Sequence, residues 1–451
     1  METSVPRIIV EPPGPRARSV IEKDKDLIMQ SFSRWYPIVV KEAQGAVVED
    51  VDGNLYIDMN SGLVVTNVGH RNPVVVDAIK KQLDKLIHYS LTDFYYEEAV
   101  AGAERLLSIA PISNGKVFYT NSGAESIEGV LKIARGHFRN ARPYVIAFLG
   151  AFHGRTYGAM SVTASKPVQR KGFSPLVPGI IHVPYPYPYR CPFRAETAEE
   201  CGESVIEYIE EWIFGKMVDP SEVSLVLVEP IQGEGGYIVP PDNFLPRLRR
   251  LTEKHGILLA SDEVQAGMGR TGKWFAITHW NVTPDLMALA KGIANGLPLG
   301  AVIGRSDVMD IPRGGHANTF GGNPVALAAM MAVIDFIEKE HLLDRVSRLG
   351  EEIKKFFMDL ASEVELIGDV RGKGFMIGVE LVKDRKTKEP AKDEMVRVMT
   401  SAFKRGVLVV GAGVSTLRIA PPLTIPEDLL WKALEIIGDV IRDVYRSNRP
   451  S

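Results

Sequence analysis

Residues 256–304 read GILLASDEVQAGMGRTGKWFAITHWNVTPDLMALAKGIANGLPLGAVIG. Three short apolar runs stand out in it: ILLAS (257–261), LMALA (286–290) and LGAVIG (299–304). Each is too short for a buried helix and lacks polar alternation, so each reads as a strand covered on both faces. Working outward, KVFYTN (116–121), PYVIAFLG (143–150), GIIHVPYP (179–186) and VSLVLVEP (223–230) repeat the pattern. Between the runs lie segments with helical apolar spacing, such as ESIEGVLKIARGHF (125–138) and NFLPRLRRLTEKH (243–255). Strands alternating with amphipathic helices predict an α/β fold whose mostly parallel sheet is covered by helices.

The flanks differ. Pro6, Pro12, Pro13 and Pro15 make residues 1–20 an expected extended arm, of a kind that lies on a neighbouring subunit. Residues 45–58 read as a hairpin turning at Asp52-Gly53-Asn54, and 74–89 as a helix. A long helix is expected over 325–361, crossing between domains, followed by strands at 374–382 and 417–423. The expected division is an N-terminal arm and part of a small domain (1–74), a large domain (75–330), and a C-terminal α+β small domain (331–451).

Composition narrows the function. Across 451 residues the net charge is 53 minus 56, or −3, so no basic field invites nucleic acid or an anionic membrane. At 45% hydrophobic and 24% charged, the chain is ordinary globular material. No run approaches the roughly 18 apolar residues of a membrane span, and the first 20 residues lack a secretory core, so a soluble cytoplasmic protein is expected. Six glutamines among abundant Glu, Lys and Arg lean toward a thermophilic source. Cys191 and Cys201 lack zinc-ligand neighbours, and neither a metal site nor a disulfide framework is expected.

In an open parallel sheet, ligands bind beyond the carboxyl ends of the strands. Asn121-Ser122-Gly123-Ala124-Glu125 joins a strand to a helix, and its free N–H groups could hold a phosphate; Ser122 could equally be a plain cap. Asp262 ends a buried strand and needs a cationic partner, either a protonated heterocyclic nitrogen or a structural arginine. Lys291 ends another, where a dry setting would free its amine to form an imine, although most lysines are merely solvated. Arg155 and Arg418 could grip carboxylates through the guanidinium fork, or form structural ion pairs. Together these parts suit pyridoxal 5′-phosphate and an amino acid.

The motifs GHRNP (69–73), NSGAES (121–126), AFHGRT (151–156), EPIQGEGG (229–236), 258–304, ANTFGGNP (317–324) and LRIAPPL (417–423) resemble the class III aminotransferases, of the ornithine and 4-aminobutyrate type. The resemblance implies pyridoxal-phosphate fold type I. It implies Lys291 as the Schiff-base lysine, Asp262 as partner of the ring N–H, Gln265 near the phenolic oxygen, Phe152 stacked on the ring and His153 beside it. Ser122, Gly123 and Ala124 match the phosphate cradle, and Thr319 a residue reaching the phosphate of the other subunit, which implies a homodimer or higher oligomer with shared active sites. Arg418 matches the arginine that binds the substrate carboxylate, Glu234 its gate carboxylate, and Arg155 an arginine for a distal carboxylate. Substrate choice falls to 59–65 and 88–97. The implied activity is transfer of an amino group from an ω-amino or ornithine-type amino acid to 2-oxoglutarate. A racemase or epimerase on the same fold is the main alternative, and a non-catalytic binding module a remoter one.

Overall fold

The computed structural model describes residues 5–448 and divides into two compact units, Val74–Asp344 and the combination of the segments up to Pro73 and from Arg345 onward. The first unit is built on a seven-stranded sheet: β1 (Gly115–Thr120), β2 (Tyr144–Phe148), β3 (Ile180–Val183), β4 (Val223–Val228), β5 (Leu258–Asp262), β6 (Leu286–Leu289) and β7 (Gly300–Arg305). Their order is β1-β7-β6-β5-β4-β2-β3. All neighbouring pairs are parallel except those of β7, which runs antiparallel to both β6 and β1. The reason is length: only residues 290–299 join β6 to β7, fewer than the dozen or more that a parallel crossover needs. Strands β4, β5 and β6 are buried throughout, as unbroken apolar runs require.

Because β1, β2, β4, β5 and β6 share one direction, their carboxyl ends lie along one edge of the sheet. The antiparallel β7 begins at that edge, with Gly300 opposite Thr120. A Cβ on Gly300 would come within 2.3 Å of the Thr120 hydroxyl and 2.5 Å of the Ser126 hydroxyl, so only glycine fits. Ser126 in turn donates to the Leu289 carbonyl at 2.9 Å, tying the helix Gly123–His137 to the end of β6.

The second unit carries two small sheets. Val40–Gln44, Val47–Asp50, Leu55–Asp58 and Val407–Leu408 form one, and Ile367–Lys373, Met376–Asp384, Thr416–Ile419 and Val410–Ala412 form the other, with Glu389–Pro390 pairing off Met376–Asp384. The 45–58 hairpin is present, with Gly53 at φ +89° and the Asp50 carboxylate accepting from the Asp52 and Asn54 N–H groups.

Four expectations are corrected. Among the described residues the N-terminal arm is free of helix only from Val5 to Gly14; from Pro15 to Leu27 it is helical, because Pro15 takes the first helical position, where its missing N–H costs nothing, and Asp52 accepts from Arg16 N and Ala17 N at 2.9 and 3.0 Å. The helix expected over 74–89 runs from Pro73 to Leu83. The helix expected over 325–361 is two, Pro324–Lys339 and Leu342–Glu363, interrupted at His341, whose φ of +50° lies outside the right-handed helical region.

The fourth correction concerns the cysteines. Cys191 and Cys201 form a disulfide with Cα atoms 5.9 Å apart. The chain leaves the turn Pro188–Arg190 and doubles back into the helix Ala198–Glu207, whose capping box at Thr197 and Glu200 fixes where the helix starts. Ten residues of separation therefore close a loop rather than hold two thiols apart. Closing a loop this size restricts the unfolded chain by about 3 kcal/mol in the entropy model. Denatured, unreduced protein is expected to show no reactive thiol and reduced protein two, with a lower melting temperature after reduction; thiols titratable without reductant would contradict the bond.

Among the described residues no helix is long and apolar enough to cross a membrane.

Candidate active site

The carboxyl edge of the large sheet collects most of the residues singled out in the sequence. Asp262 is the last residue of β5 and is buried. Its Oδ1 accepts from Val264 N at 3.0 Å, and its Oδ2 faces His153 Nδ1 at 2.7 Å. The His153 side chain has no exposed surface, and its backbone N–H donates to Thr163 Oγ1 at 2.9 Å. With Nδ1 held by a carboxylate, the ring orientation is set by Asp262.

Lys291 follows β6 after one residue and opens a single 3-10 turn, Lys291–Ala294. Its φ is +49°, in the left-handed region that a long side chain adopts only when its surroundings over-determine it. Such strain clusters at functional positions.

Ser122 caps the 15-residue helix Gly123–His137 by accepting from Glu125 N, while the Glu125 carboxylate accepts from Asn121 N at 2.8 Å. Gly123 lies against Val264 so closely that a Cβ there would meet Val264 Cγ1 at 2.9 Å and the Ala290 methyl at 3.6 Å. One small position thus touches the segments carrying Asp262 and Lys291. Ala124 packs on Gly154, where a Cβ would stand 2.8 Å from the alanine methyl. A helix N-terminus stripped of bulk, with its first N–H groups outward, suits an anion.

Phe152 lies beside His153, and the exposed Arg155 guanidinium sits 5.5 Å from the centre of its ring. Gln265 presses its amide onto Gly233, where a Cβ would stand 2.9 Å away. On the same turn, Glu234 forms an ion pair with Lys166 at 2.6 Å. Thr319 is exposed on a loop that is pinned through Asn318, whose carbonyl accepts from Thr92 Oγ1. Arg418 belongs to the other unit, on the strand Thr416–Ile419; it is buried, and its Nε donates to the Gly411 carbonyl at 2.9 Å.

Sequence reasoning passed over Glu229. It follows β4 as Asp262 closes β5, and register places Val228 beside Ser261. One Glu229 oxygen accepts from Phe152 N at 2.9 Å and the other from Gly233 N at 2.8 Å. The buried carboxylate therefore fixes both the Phe152 loop and the floor beneath Gln265. Burial pushes its carboxyl up to about 7, the Asp262 charge adds to that, and His153 opposes it. Glu263 is also raised to about 7 by burial, although Ala276 N and Ile277 N, each at 2.8 Å, favour its ionised form. The signal for Glu229 was available: an acid directly after a fully apolar strand.

The buried atoms His153 Nε2 and Gln265 Oε1 have no hydrogen-bond partner among the described residues. Together with the Asp262 carboxylate and the open helix N-terminus, they form a set of polar groups that fits a phosphorylated aromatic cofactor with a ring nitrogen and a phenolic oxygen.

Comparison with known proteins narrows this fit to one group. The family model of class III aminotransferases matches residues 29–441. The alanine/serine racemase of Pyrococcus horikoshii is 41% identical over 445 residues, 97% of this chain and 93% of that protein. The 4-aminobutyrate aminotransferase of Mycobacterium leprae is 40% identical over 446 residues, 97% and 98% of the two chains. The crystal structure of an amine transaminase from an uncultivated Pseudomonas species, in its PLP-bound form, superposes with a TM-score of 0.86 at 29% identity, covering 93% of this chain and 98% of that one. The fold and this edge define a pyridoxal-phosphate enzyme of fold type I. The chain belongs to the class III aminotransferase family, and pyridoxal 5′-phosphate is its cofactor.

Proposed function

We propose that this protein is an aminotransferase that moves the amino group of an ω-amino or ornithine-type amino acid to 2-oxoglutarate. Pyridoxal 5′-phosphate, when bound, supplies an aldehyde that takes up amines and a ring that accepts electrons from the substrate's Cα. The protein's own groups do the rest. Lys291 would hold the cofactor through its Nζ, and that amine would serve as the base that moves the substrate's Cα proton. Asp262 would partner the ring nitrogen, with His153 holding the carboxylate in place. Ser122, Gly123 and Ala124 would hold the phosphate, Phe152 would cover the ring, and Gln265 would contact the phenolic oxygen. Thr319, on its exposed loop, serves the phosphate of a second copy of the chain, so the working enzyme is a homodimer or a higher assembly. Arg418 would bind the substrate's α-carboxylate, and Glu234 would act as the gate carboxylate for substrates that lack one.

The observation that carries transamination is Arg155, an exposed guanidinium set beside the Phe152 ring. It offers a second carboxylate site, as a dicarboxylate acceptor requires. Arg155→Ala is expected to raise KM for 2-oxoglutarate and other acidic substrates about tenfold or more, from loss of a charge-assisted pair. Neutral amino donors should change far less, and equal losses for both would count against the role.

A second reading has its own support, the 41% identity to an alanine/serine racemase over nearly the whole chain. Inversion needs the proton returned to Cα from the opposite face, and Glu234 is the available second group. A panel of amino donors with and without 2-oxoglutarate, read by chiral chromatography and oxo-acid analysis, separates the two. Turnover that depends on the oxo acid supports transamination; inversion of a single amino acid without one supports racemisation.

A further inference from the structure

Glu128 has no part in the machinery above, yet one of its oxygens is the meeting point of three donors. Glu128 Oε1 accepts from Thr156 Oγ1 at 2.6 Å, from Gly158 N at 2.9 Å and from Ala159 N at 3.2 Å. Gly158 and Ala159 lie in the first turn of the short helix Tyr157–Val162, whose N-cap residue, Thr156, makes no cap bond of its own. A carboxylate from another helix supplies that cap. The fit is close, for a Cβ on Gly158 would collide with the Glu128 carboxylate.

Glu128 follows Ala124 by four residues on the helix Gly123–His137, one turn along the same face. Ala124 carries Gly154, and Glu128 carries Thr156. Arg155 is the residue between them. At the other end of the loop, Phe152 N donates to Glu229. Arg155 therefore sits on a segment held at three points, two of them on consecutive turns of the helix whose N-terminus is the proposed phosphate cradle.

We infer that Glu128 is a positioning residue for Arg155, fixing where the guanidinium stands relative to that cradle. The inference rests on the distal-carboxylate role proposed for Arg155. Arg155, Thr156 and Tyr157 are exposed, and an exposed loop loses order when the bonds that pin it are removed. A guanidinium fork grips a carboxylate well only in a narrow range of directions. Loss of Glu128 therefore weakens ligands that carry a distal carboxylate and spares those that lack one.

The test is equilibrium binding to the holoenzyme, by calorimetry, of two unreactive five-carbon ligands that differ by one carboxylate: glutarate and pentanoate. Glu128→Ala should weaken glutarate about tenfold and pentanoate no more than about twofold, and Glu128→Gln, which keeps an acceptor oxygen, should restore the parent ratio. In an Arg155→Ala background, Glu128→Ala should leave that ratio where Arg155→Ala alone puts it. Thr156→Val removes one donor without touching the phosphate helix and should move the ratio the same way by about threefold, which keeps the inference testable if Glu128→Ala does not fold. Equal weakening of both ligands by Glu128→Ala, or a parent ratio in Thr156→Val, overturns the inference and leaves the Arg155 reading intact. If Arg155→Ala alone leaves the ratio at the parent value, the distal-carboxylate reading fails and the inference falls with it.

Discussion

Lys291→Ala is expected to lower kcat/KM by at least about 10⁴-fold, because the variant loses both the covalent amine and the base that moves the substrate proton. The fold should survive. The strained backbone at this position, with φ at +49°, is a property of the turn after β6, and alanine carries the same Cβ as lysine. The neighbours that hold the turn, Ala290 against the Gly123 position and the Ile293 N–H on the Ala290 carbonyl, remain in place. Steady-state turnover alongside circular dichroism and thermal melting checks both halves. Activity within tenfold of the parent would remove Lys291 from its role. Lost activity accompanied by lost structure would show that the turn depends on the lysine side chain.

Asp262→Asn carries the second largest effect, a fall in kcat of about 10²–10⁴-fold, the range for losing a preorganised charge in a water-poor site. An amide neither holds a proton on the ring nitrogen nor gives His153 the same anionic partner. Steady-state turnover of the holoenzyme, with circular dichroism reporting the fold, checks it; a kcat within tenfold of the parent would remove Asp262 from this role.

The large unit was legible because its information is local. Unbroken apolar runs such as VSLVLV mark strands buried on both faces, and acids or amines at their ends mark the edge where ligands bind. Asp262 and Lys291 could be found in this way from the chain alone. What escaped depends on pairings that only folding creates. Lys166 and Glu234 are 68 residues apart in sequence, and nothing in SKPVQ announces a partner in QGEGG. Cys191 and Cys201 were near each other in sequence, but their bridge depends on a reversal of the chain that composition does not encode. The break at His341 is similar, since Glu340-His341 contains no proline or glycine and the apolar period continues through it. Glu229 is a different case: its position after β4 repeats that of Asp262 after β5, and the same rule applied evenly would have found it.

Reduction of the holoenzyme with borohydride, followed by proteolysis and mass mapping, tests the central claim most directly. The account predicts one pyridoxyl group per chain, on Lys291. A label on another lysine, or none on a cofactor-saturated protein, would contradict it.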